Sequence, residues 1–571
     1  ITFQDLMIFI GQNNCGKSNI LTALLCFFNQ YKHSEFDLHS NEHNSIIEME
    51  FESLDSFDQI QFKKYLTANN KIKVRKTATS EGGYEYHGFI EQANENWLKE
   101  ENFSEYNSRE KIENTPLNEF IPESGRITKD IYNKAIFDYI EANKDSLEFS
   151  YVLESTPFLG LKTVASGIWG DIFFIPAVKN ASDELSNKGI FFSQLYSRVI
   201  NKISERNEKY SNAKNQLEEL SSLLNKTKSD GTINNDRPIE LNNLEAKINE
   251  ELTSWDTTID VEISPPDIND IFKVGAKVWL NDGTKTDVDR KGHGLQRSLI
   301  FCLLKAYAGI LKEERESINN EEIEQPTRRS SNSSYFIFEE PELFLHPQAQ
   351  RELFDALLNM SRINNQILLC THSSSFLDLD LYKSICIVKK ERETGTKILQ
   401  CTDNIFTDDQ KQKFNLIYWL NPERNELFFA KKVILVEGPS DKTVIPYLSK
   451  KLGLFKFDYT FIECGGKTNI HLYMKILNKL KQEYIAIYDK DHQSYKDRDA
   501  KNSADIHSRI IESAIDTTLG KSIIFENDIE EEIGITERND KNKPHKALKM
   551  VTNETYVIPE NLEKKIRLIY V

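Results

Sequence analysis

Leu6-Met7-Ile8-Phe9-Ile10-Gly11-Gln12-Asn13-Asn14-Cys15-Gly16-Lys17-Ser18 decides the fold class. Five apolar residues in a row read as a buried strand, Gly11 to Ser18 has the form G-x-x-x-x-G-K-S, and Ser18 to Gln30 has the spacing of a helix. Strand, glycine loop and helix in that order predict a phosphate-binding loop. Its backbone N–H groups curl around a β-phosphate, the helix N-terminus adds positive potential, Lys17 reaches the β/γ oxygens, and the Ser18 hydroxyl meets Mg²⁺. Asn13, Asn14, Gly16, Lys17 and Ser18 are the expected ATP-binding positions.

Working outward, Tyr335-Phe336-Ile337-Phe338-Glu339-Glu340 is an apolar strand ending in two carboxylates. Glu339 is expected to hold the water shell of the Mg²⁺, and Glu340 to orient or deprotonate the attacking water. A further strand, Gln366 to Cys370, ends in Thr371-His372-Ser373, which places His372 towards the γ-phosphate. Gly292-His293-Gly294-Leu295-Gln296-Arg297 opens another helix whose free N–H groups suit an anion. The molecule already has a phosphate loop, so Gly294 and Gln296 are expected to act on nucleotide held by a second subunit.

These motifs resemble an ABC/SMC-type ATPase head over residues 1 to about 390, with Glu339 standing where that family usually has Asp. Inside it, Leu195, Val199, Ile203, Tyr210, Ala213, Leu217, Leu220 and Leu224 recur at helical steps. After a turn at Ser229-Asp230-Gly231, Leu241, Leu244, Ile248, Leu252 and Trp255 form a second stripe, giving a helical hairpin over 181–256. Two long stripes without a core nearby favour a dimerisation arm; packing on its own domain is the alternative. The stretch 64–150 carries no motif, and Glu313 to Ser334 reads as an exposed loop.

A second constellation lies beyond a linker at 406–430. Val433-Ile434-Leu435-Val436-Glu437 ends a strand in an acid with Asp441 four residues on, and Ala486-Ile487-Tyr488-Asp489-Lys490-Asp491 ends another in D-x-D. Carboxylates from two strand tips converge on cations that prefer oxygen ligands, Mg²⁺ or Mn²⁺. Gly465-Gly466-Lys467 lies between the two strands, and Phe525-Glu526-Asn527-Asp528-Ile529-Glu530 ends a third apolar stretch in acids. The set resembles a TOPRIM domain.

An ABC-type ATPase followed by a TOPRIM domain is similar to the overcoming-lysogenisation-defect (OLD) nuclease family, as is the wording Glu339-Glu340-Pro341-Glu342 with Leu345-His346-Pro347. The resemblance implies an ATP-regulated, metal-dependent DNA endonuclease or nickase serving antiphage defence. Glu437, Asp441, Asp489, Asp491 and Glu530 would bind a metal pair, and Lys543 would stabilise the transition-state phosphate, with Lys541 and Lys546 as competitors. It also implies a homodimer or larger homo-oligomer, and as alternative partners a helicase-like protein or a retron reverse transcriptase with its DNA–RNA product. The competing class is an ATP-switched sensor or scaffold whose TOPRIM domain binds nucleic acid without cutting. The expected architecture is thus α/β throughout: ATPase parts at 1–180 and 257–405, the hairpin between them, and a Rossmann-like TOPRIM domain at 431–571.

Composition bounds these readings. At 571 residues the chain exceeds a single core, and 39% hydrophobic against 28% charged residues fits folded domains. The net charge of −17, from 89 acidic and 72 basic residues, argues against binding nucleic acid over the whole surface, leaving a local basic channel open. No apolar run approaches the ~20 residues of a membrane span. The seven cysteines are scattered and never spaced as C-x-x-C, as for free thiols in a reducing cytosol. The chain opens in mid-strand without Met, so preceding residues are expected to be missing from it.

Overall fold

The structure is a computed structural model. It describes residues 1–571 except 35–36, 38–43, 68, 80–82, 144–145, 162–163, 165, 178–198, 201–206, 229–231, 253–256, 264–277, 319–330, 332, 363–364, 392–394, 411–421 and 536–541. Contacts divide the chain into two units, one of Ile1–Lys17, Phe173–Asn320 and Phe336–Val571, the other of Ser18–Ile172 and Glu321–Tyr335.

The first unit holds two sheets. In one, β1 (Leu6–Ile10), β6 (Asp171–Ile175), β9 (Ser334–Glu339), β10 (Asn365–Cys370), β11 (Ile385–Glu391) and β12 (Gly395–Gln400) lie in the order β12-β11-β1-β10-β9-β6. All five residues of β1 are buried, and β1 runs parallel to both β10 and β11, with Phe9 beside Cys370 and Cys386. With every residue buried, β1 has neither face in water, which is why its sequence is a continuous apolar run and not an alternating one. β11 turns back antiparallel into β12.

The other sheet is parallel, with β13 (Lys432–Val436), β14 (Tyr459–Glu463), β15 (Glu483–Asp489) and β16 (Gly520–Phe525) in the order β14-β13-β15-β16. Helices Pro439–Lys451, Lys467–Lys479 and Arg498–Ala514 follow the first three in turn. Parallel strands joined by helical crossovers end on one edge, so Glu437, Glu463, Asp489 and Glu526 emerge together, at the carboxyl ends where open α/β sheets bind ligands. One continuous core joins the two sheets, running from Ile8, Phe338 and Leu369 through Phe376, Leu427 and Phe428 to Val433, Tyr473 and Tyr484.

The second unit gives the motif-poor stretch a structure. β2 (Ser45–Phe51), β3 (Ile72–Ala78), β4 (Tyr84–Ala93) and β5 (Phe149–Leu153) form an antiparallel sheet in sequence order. β2 and β3 alternate between more and less buried residues, as a sheet with one solvated face requires. Phe27, Phe62, Tyr86, Phe158 and Trp169 pack together, with Phe51 stacked on Trp169 at 4.9 Å. Helix Lys129–Asn143 contributes Tyr132 and Ile136 to a smaller cluster with Leu98, Ile112 and Leu117.

Three expectations about connecting segments meet the structure here. Helix His293–Ile318 runs into the charged stretch assigned to a loop from Glu313, because Glu-Glu-Arg-Glu continues a helix as readily as it solvates a loop. The segment assigned to a linker contains a 3₁₀ turn, Pro422–Phe428, whose Arg424, Asn425, Leu427 and Phe428 are buried. Of the helical hairpin, helices Glu208–Leu224 and Ile239–Leu252 are present. They are locked by Arg237, which donates to the Leu224 carbonyl (2.8 Å) and makes a two-pronged pair with Glu245 (2.9 and 2.6 Å). Leu220 and Leu244 stand about half exposed on them, whereas Leu195, Ile203, Trp255 and the turn 229–231 lie outside the described residues. Short strands β7 (Trp279–Asn281) and β8 (Lys285–Asp287) follow, joined through Gly283 at φ +108°. No helix among the described residues is long and apolar enough to cross a membrane, and all seven cysteines are free.

Candidate functional site

The phosphate loop leaves β1 at Gly11 and enters helix Lys17–Phe27. Its glycines are dictated by contact. A Cβ on Gly11 would lie 2.2 Å from the Val388 carbonyl oxygen, and one on Gly16 (φ +103°) would lie 2.3 Å from Thr396 Oγ1. Thr396, on β12, donates to the Cys15 carbonyl at 2.9 Å, so the hairpin β11–β12 braces the loop from the side. The buried Lys17 ammonium donates to the carbonyls of Gly11 (3.1 Å) and Gln12 (3.0 Å), at the mouth of the loop. Asn13, Asn14 and Ser18 are exposed, Asn14 with φ +60°.

β9 delivers Glu339 at its tip, and Glu340 follows at φ +44°, a conformation costly for a non-glycine residue and concentrated at functional sites. The Glu340 N–H donates to the Cys370 carbonyl at 2.8 Å, which ties the tips of β9 and β10. His372 Nε2 lies 3.8 Å from Glu340 Oε1, and the His372 N–H donates to Glu342 Oε1 at 2.6 Å. Burial and the nearby Lys17 hold the imidazole below its ordinary pKa, against the pull of Glu340 and Glu342, so it is neutral at pH 7 and accepts or donates through one nitrogen each. The expected residues Lys17, Glu340 and His372 are thereby gathered.

The glycine-led helix is held by contacts within its own chain. Gly294 packs under the Phe344 carbonyl, and Gln296 is buried with its amide donating to Val288 (3.1 Å) and Lys291 (2.8 Å), so it braces its own loop. Arg297, not singled out from sequence, is buried and donates to the carbonyls of Pro176 (3.2 Å) and Glu340 (3.5 Å).

At the carboxyl edge of the parallel sheet, Glu437, Ser440, Asp441, Glu463, Gly465, Gly466, Asp489 and Glu530 line a cavity of about 350 Å³. Asp441 caps its own helix, accepting from the Gly438 N–H at 3.1 Å through Oδ2, while its buried Oδ1 has no partner. Asp489 Oδ1 is likewise buried and unpartnered. Glu437 Oε1 accepts the Asp489 N–H at 2.7 Å, and Glu530 Oε1 accepts from Ser440 Oγ at 2.7 Å. Burial raises the carboxyl pKa of Glu437, Asp441 and Asp489 well above the ordinary range, and neighbouring carboxylates add to it.

Buried acids with bare oxygens, raised towards the neutral form, are the donor set of a hard divalent cation, whose charge would return them to carboxylates. Among the described residues no three such side chains converge on one point, and Glu437, Glu530 and Asp491 each accept from a local donor. Asp491 sits outside the lining, at φ +66°, paired with Lys496 at 2.6 Å. Lys543 opens helix Lys543–Val551, which packs its Ala547 and Val551 against Val444 and Leu448 of the Asp441 helix. Lys467 lies within the acid cluster, buried, donating to the Asp489 carbonyl, 5.3 Å from the Tyr488 ring centroid. Sequence reading left Lys467 without a role and passed over Glu463, although an acid at a strand end before Gly-Gly was its signal.

A phosphate-loop ATPase core whose own chain continues into a parallel sheet with an acidic carboxyl edge defines the class. Residues 1–377 match the family described as AAA ATPase domain, and residues 428–491 match the family described as overcoming lysogenization defect protein-like, TOPRIM domain. The chain belongs to the AAA ATPase domain family and carries an OLD-like TOPRIM domain C-terminal to it. It is 25% identical over 337 residues to the Old nuclease of Escherichia phage P2, covering 56% of this chain and 53% of that one. It is 31% identical over 160 residues to the OLD nuclease of Thermus scotoductus, covering 27% and 30%. The chain thus spans about half or less of the length of these relatives. Among solved structures, an SmcHead bound to the C-winged helix domain of ScpA aligns over 70% of this chain and 92% of its own, at 11% identity and a TM-score of 0.31.

Proposed function

We propose that the chain is a divalent-metal-dependent DNA endonuclease or nickase whose ATPase part regulates cleavage. The observation that carries the reading is the pair of buried, unpartnered carboxyl oxygens on Asp441 and Asp489, two residues that line a cavity at the carboxyl edge of the parallel sheet. Glu437, Asp441, Asp489 and Glu530 would hold Mg²⁺ or Mn²⁺, with Asp491 joining on release from Lys496. When bound, such cations supply an activated water and neutralise charge on the scissile phosphodiester. The chain's own part is to orient the ligands: the Asp489 N–H fixes Glu437, Ser440 fixes Glu530, and Gly438 fixes Asp441. Lys467 supplies an ammonium within the cluster, and Lys543 is the lysine that the family resemblance puts at the phosphate.

Separately, Lys17, Glu340 and His372 support ATP hydrolysis, with Glu339 and Ser18 as the Mg²⁺ positions and Asn13, Asn14 and Gly16 as loop backbone. Gly294, with Gln296 behind it, would meet nucleotide of a second subunit in a homodimer. A place in antiphage defence rests on the family resemblance, supported by the similarity to the named nucleases. The experiment is incubation of the purified chain with supercoiled plasmid and Mg²⁺ or Mn²⁺, with Asp489→Ala as control. Relaxed or linear product that vanishes in Asp489→Ala with ATP hydrolysis intact is expected; intact plasmid under every metal condition would leave the non-cutting scaffold reading in its place.

A further inference from the structure

The segment between the two sheets is built into the core, and its adjacent residues Arg424 and Asn425 face opposite ways. Asn425 is 3% exposed and donates through Nδ2 to the carbonyls of Ser374 and Leu377, each at 2.9 Å. Those carbonyls belong to the turn that directly follows His372. The same turn is held from the other side by Gln350, whose Oε1 accepts from Ser373 Oγ at 2.7 Å, and by Glu342 on the His372 N–H. Phe376 and Leu377 pack in the same core as Leu427 and Phe428, two and three residues after Asn425.

The turn Pro422–Phe428 packs against β14, and its Arg424, 6% exposed, acts through its charge on Cys464, just after β14, and on Tyr473 of the helix that follows. Burial pushes that thiol and that phenol up, and the Arg424 charge opposes both shifts. Cys464 lies between Glu463 and Gly465, two residues that line the acidic cavity. Downstream, Phe428 leads within four residues to β13, which ends at Glu437. The buried Gln482 amide ties that link to the start of β15 by donating to the carbonyls of Ala430 and Lys431. β13 and β15, which end in Glu437 and Asp489, are therefore fixed at their base to the segment that Asn425 anchors.

We propose that Arg424 and Asn425 are the positioning residues through which nucleotide at the phosphate loop sets the geometry of the TOPRIM acids. Asn425 follows the turn after His372, and Arg424 with β13 passes the displacement to Glu463-Cys464-Gly465 and to Glu437. A buried amide donating to two carbonyls of one turn moves with that turn, because leaving both acceptors bare in a packed core costs more than shifting. Packed cores answer such a push by rigid displacement between discrete arrangements, not by gradual deformation. This inference rests on the nuclease reading for the identity of the regulated site.

The test uses the full chain, a non-hydrolysable ATP analogue and two readouts: plasmid cleavage, and hydrogen exchange of peptides spanning 459–466. In the wild type the analogue should change cleavage rate and exchange by about fivefold or more, the lower end of ordinary allosteric coupling. In Asn425→Asp, which turns acceptors onto the two carbonyls, and in Arg424→Met, both ratios should fall within about twofold of one. Nucleotide affinity and nucleotide-free cleavage should stay near wild type. Asn425→Ala, which removes the donors without adding charge, serves where the aspartate variant does not fold. Full nucleotide response in folded variants overturns the proposal, as does a wild type that cuts DNA with neither readout responding. A wild type whose exchange responds but which never cuts overturns the nuclease reading alone.

Discussion

Replacing Gly16 by Ala tests the phosphate loop at the point where two distant parts of the chain meet. The new methyl would lie 2.3 Å from Thr396 Oγ1, 3.1 Å from its Cγ2 and 3.2 Å from its Cβ, on a backbone at φ +103°. Thr396 must withdraw by about 1 Å for a carbon–oxygen contact of ordinary length, and so loses its 2.9 Å bond to the Cys15 carbonyl, worth roughly 0.5 to 1.5 kcal/mol. The left-handed backbone adds about 1 to 2 kcal/mol for any residue with a Cβ. The loop must hold this shape to wrap a phosphate, so the combined loss of about 1.5 to 3.5 kcal/mol should weaken ATP binding by about 10-fold to 300-fold, at about tenfold per 1.4 kcal/mol. Thr396→Ala alone loses only the hydrogen bond and should weaken binding about fivefold. The double variant regains space but still lacks the hydrogen bond, so it should bind about as weakly as Gly16→Ala and not about fivefold more weakly again. Titration calorimetry with ATP and Mg²⁺ on the four proteins reads the cycle. If the double variant loses the product of the two single losses, Gly16 and Thr396 do not interact and the bracing of the loop by β12 is refuted.

Glu340→Gln should keep ATP affinity while slowing hydrolysis by ~10²- to 10⁴-fold, the usual worth of a general base; full single-turnover rates would move that role elsewhere. Asp441→Asn should raise the apparent Tm in chelator at pH 8 and change it little at pH 4. The buried acid has its pKa raised from 3.8 to about 8, so its favourable contribution is complete below about pH 4 and is lost as pH climbs towards 8; a lower Tm than wild type at pH 8 would contradict this. Leu220→Lys with Leu244→Lys, on the half-exposed apolar faces of the two hairpin helices, should halve the mass seen by light scattering, and an unchanged dimer would place the interface elsewhere.

What the sequence determined by itself was chemistry written in consecutive residues. A phosphate loop needs glycines, Lys17 and Ser18 at fixed offsets on one strand–helix turn, and acids at the ends of apolar runs announce strand tips, so the α/β class was legible, and with it the strand ends that carry both candidate sites. The 64–150 stretch was not, because antiparallel strands such as β3 and β4 acquire a buried face only when distant residues, Phe27, Phe158 and Trp169, pack against Val74 and Tyr86. The hydrogen bonds of Gln296, Arg297 and Lys467 were hidden for a similar reason: whether a polar side chain faces ligand, a neighbouring carbonyl or water depends on its partners in the folded chain. Thr396 reaches back 381 residues to Cys15, and Asn425 reaches back 51 to Ser374. No local spacing encodes such contacts. Motifs survive in sequence because their geometry is set within one turn of backbone, whereas bracing and coupling belong to the packed interior, where only the tertiary fold decides which groups meet.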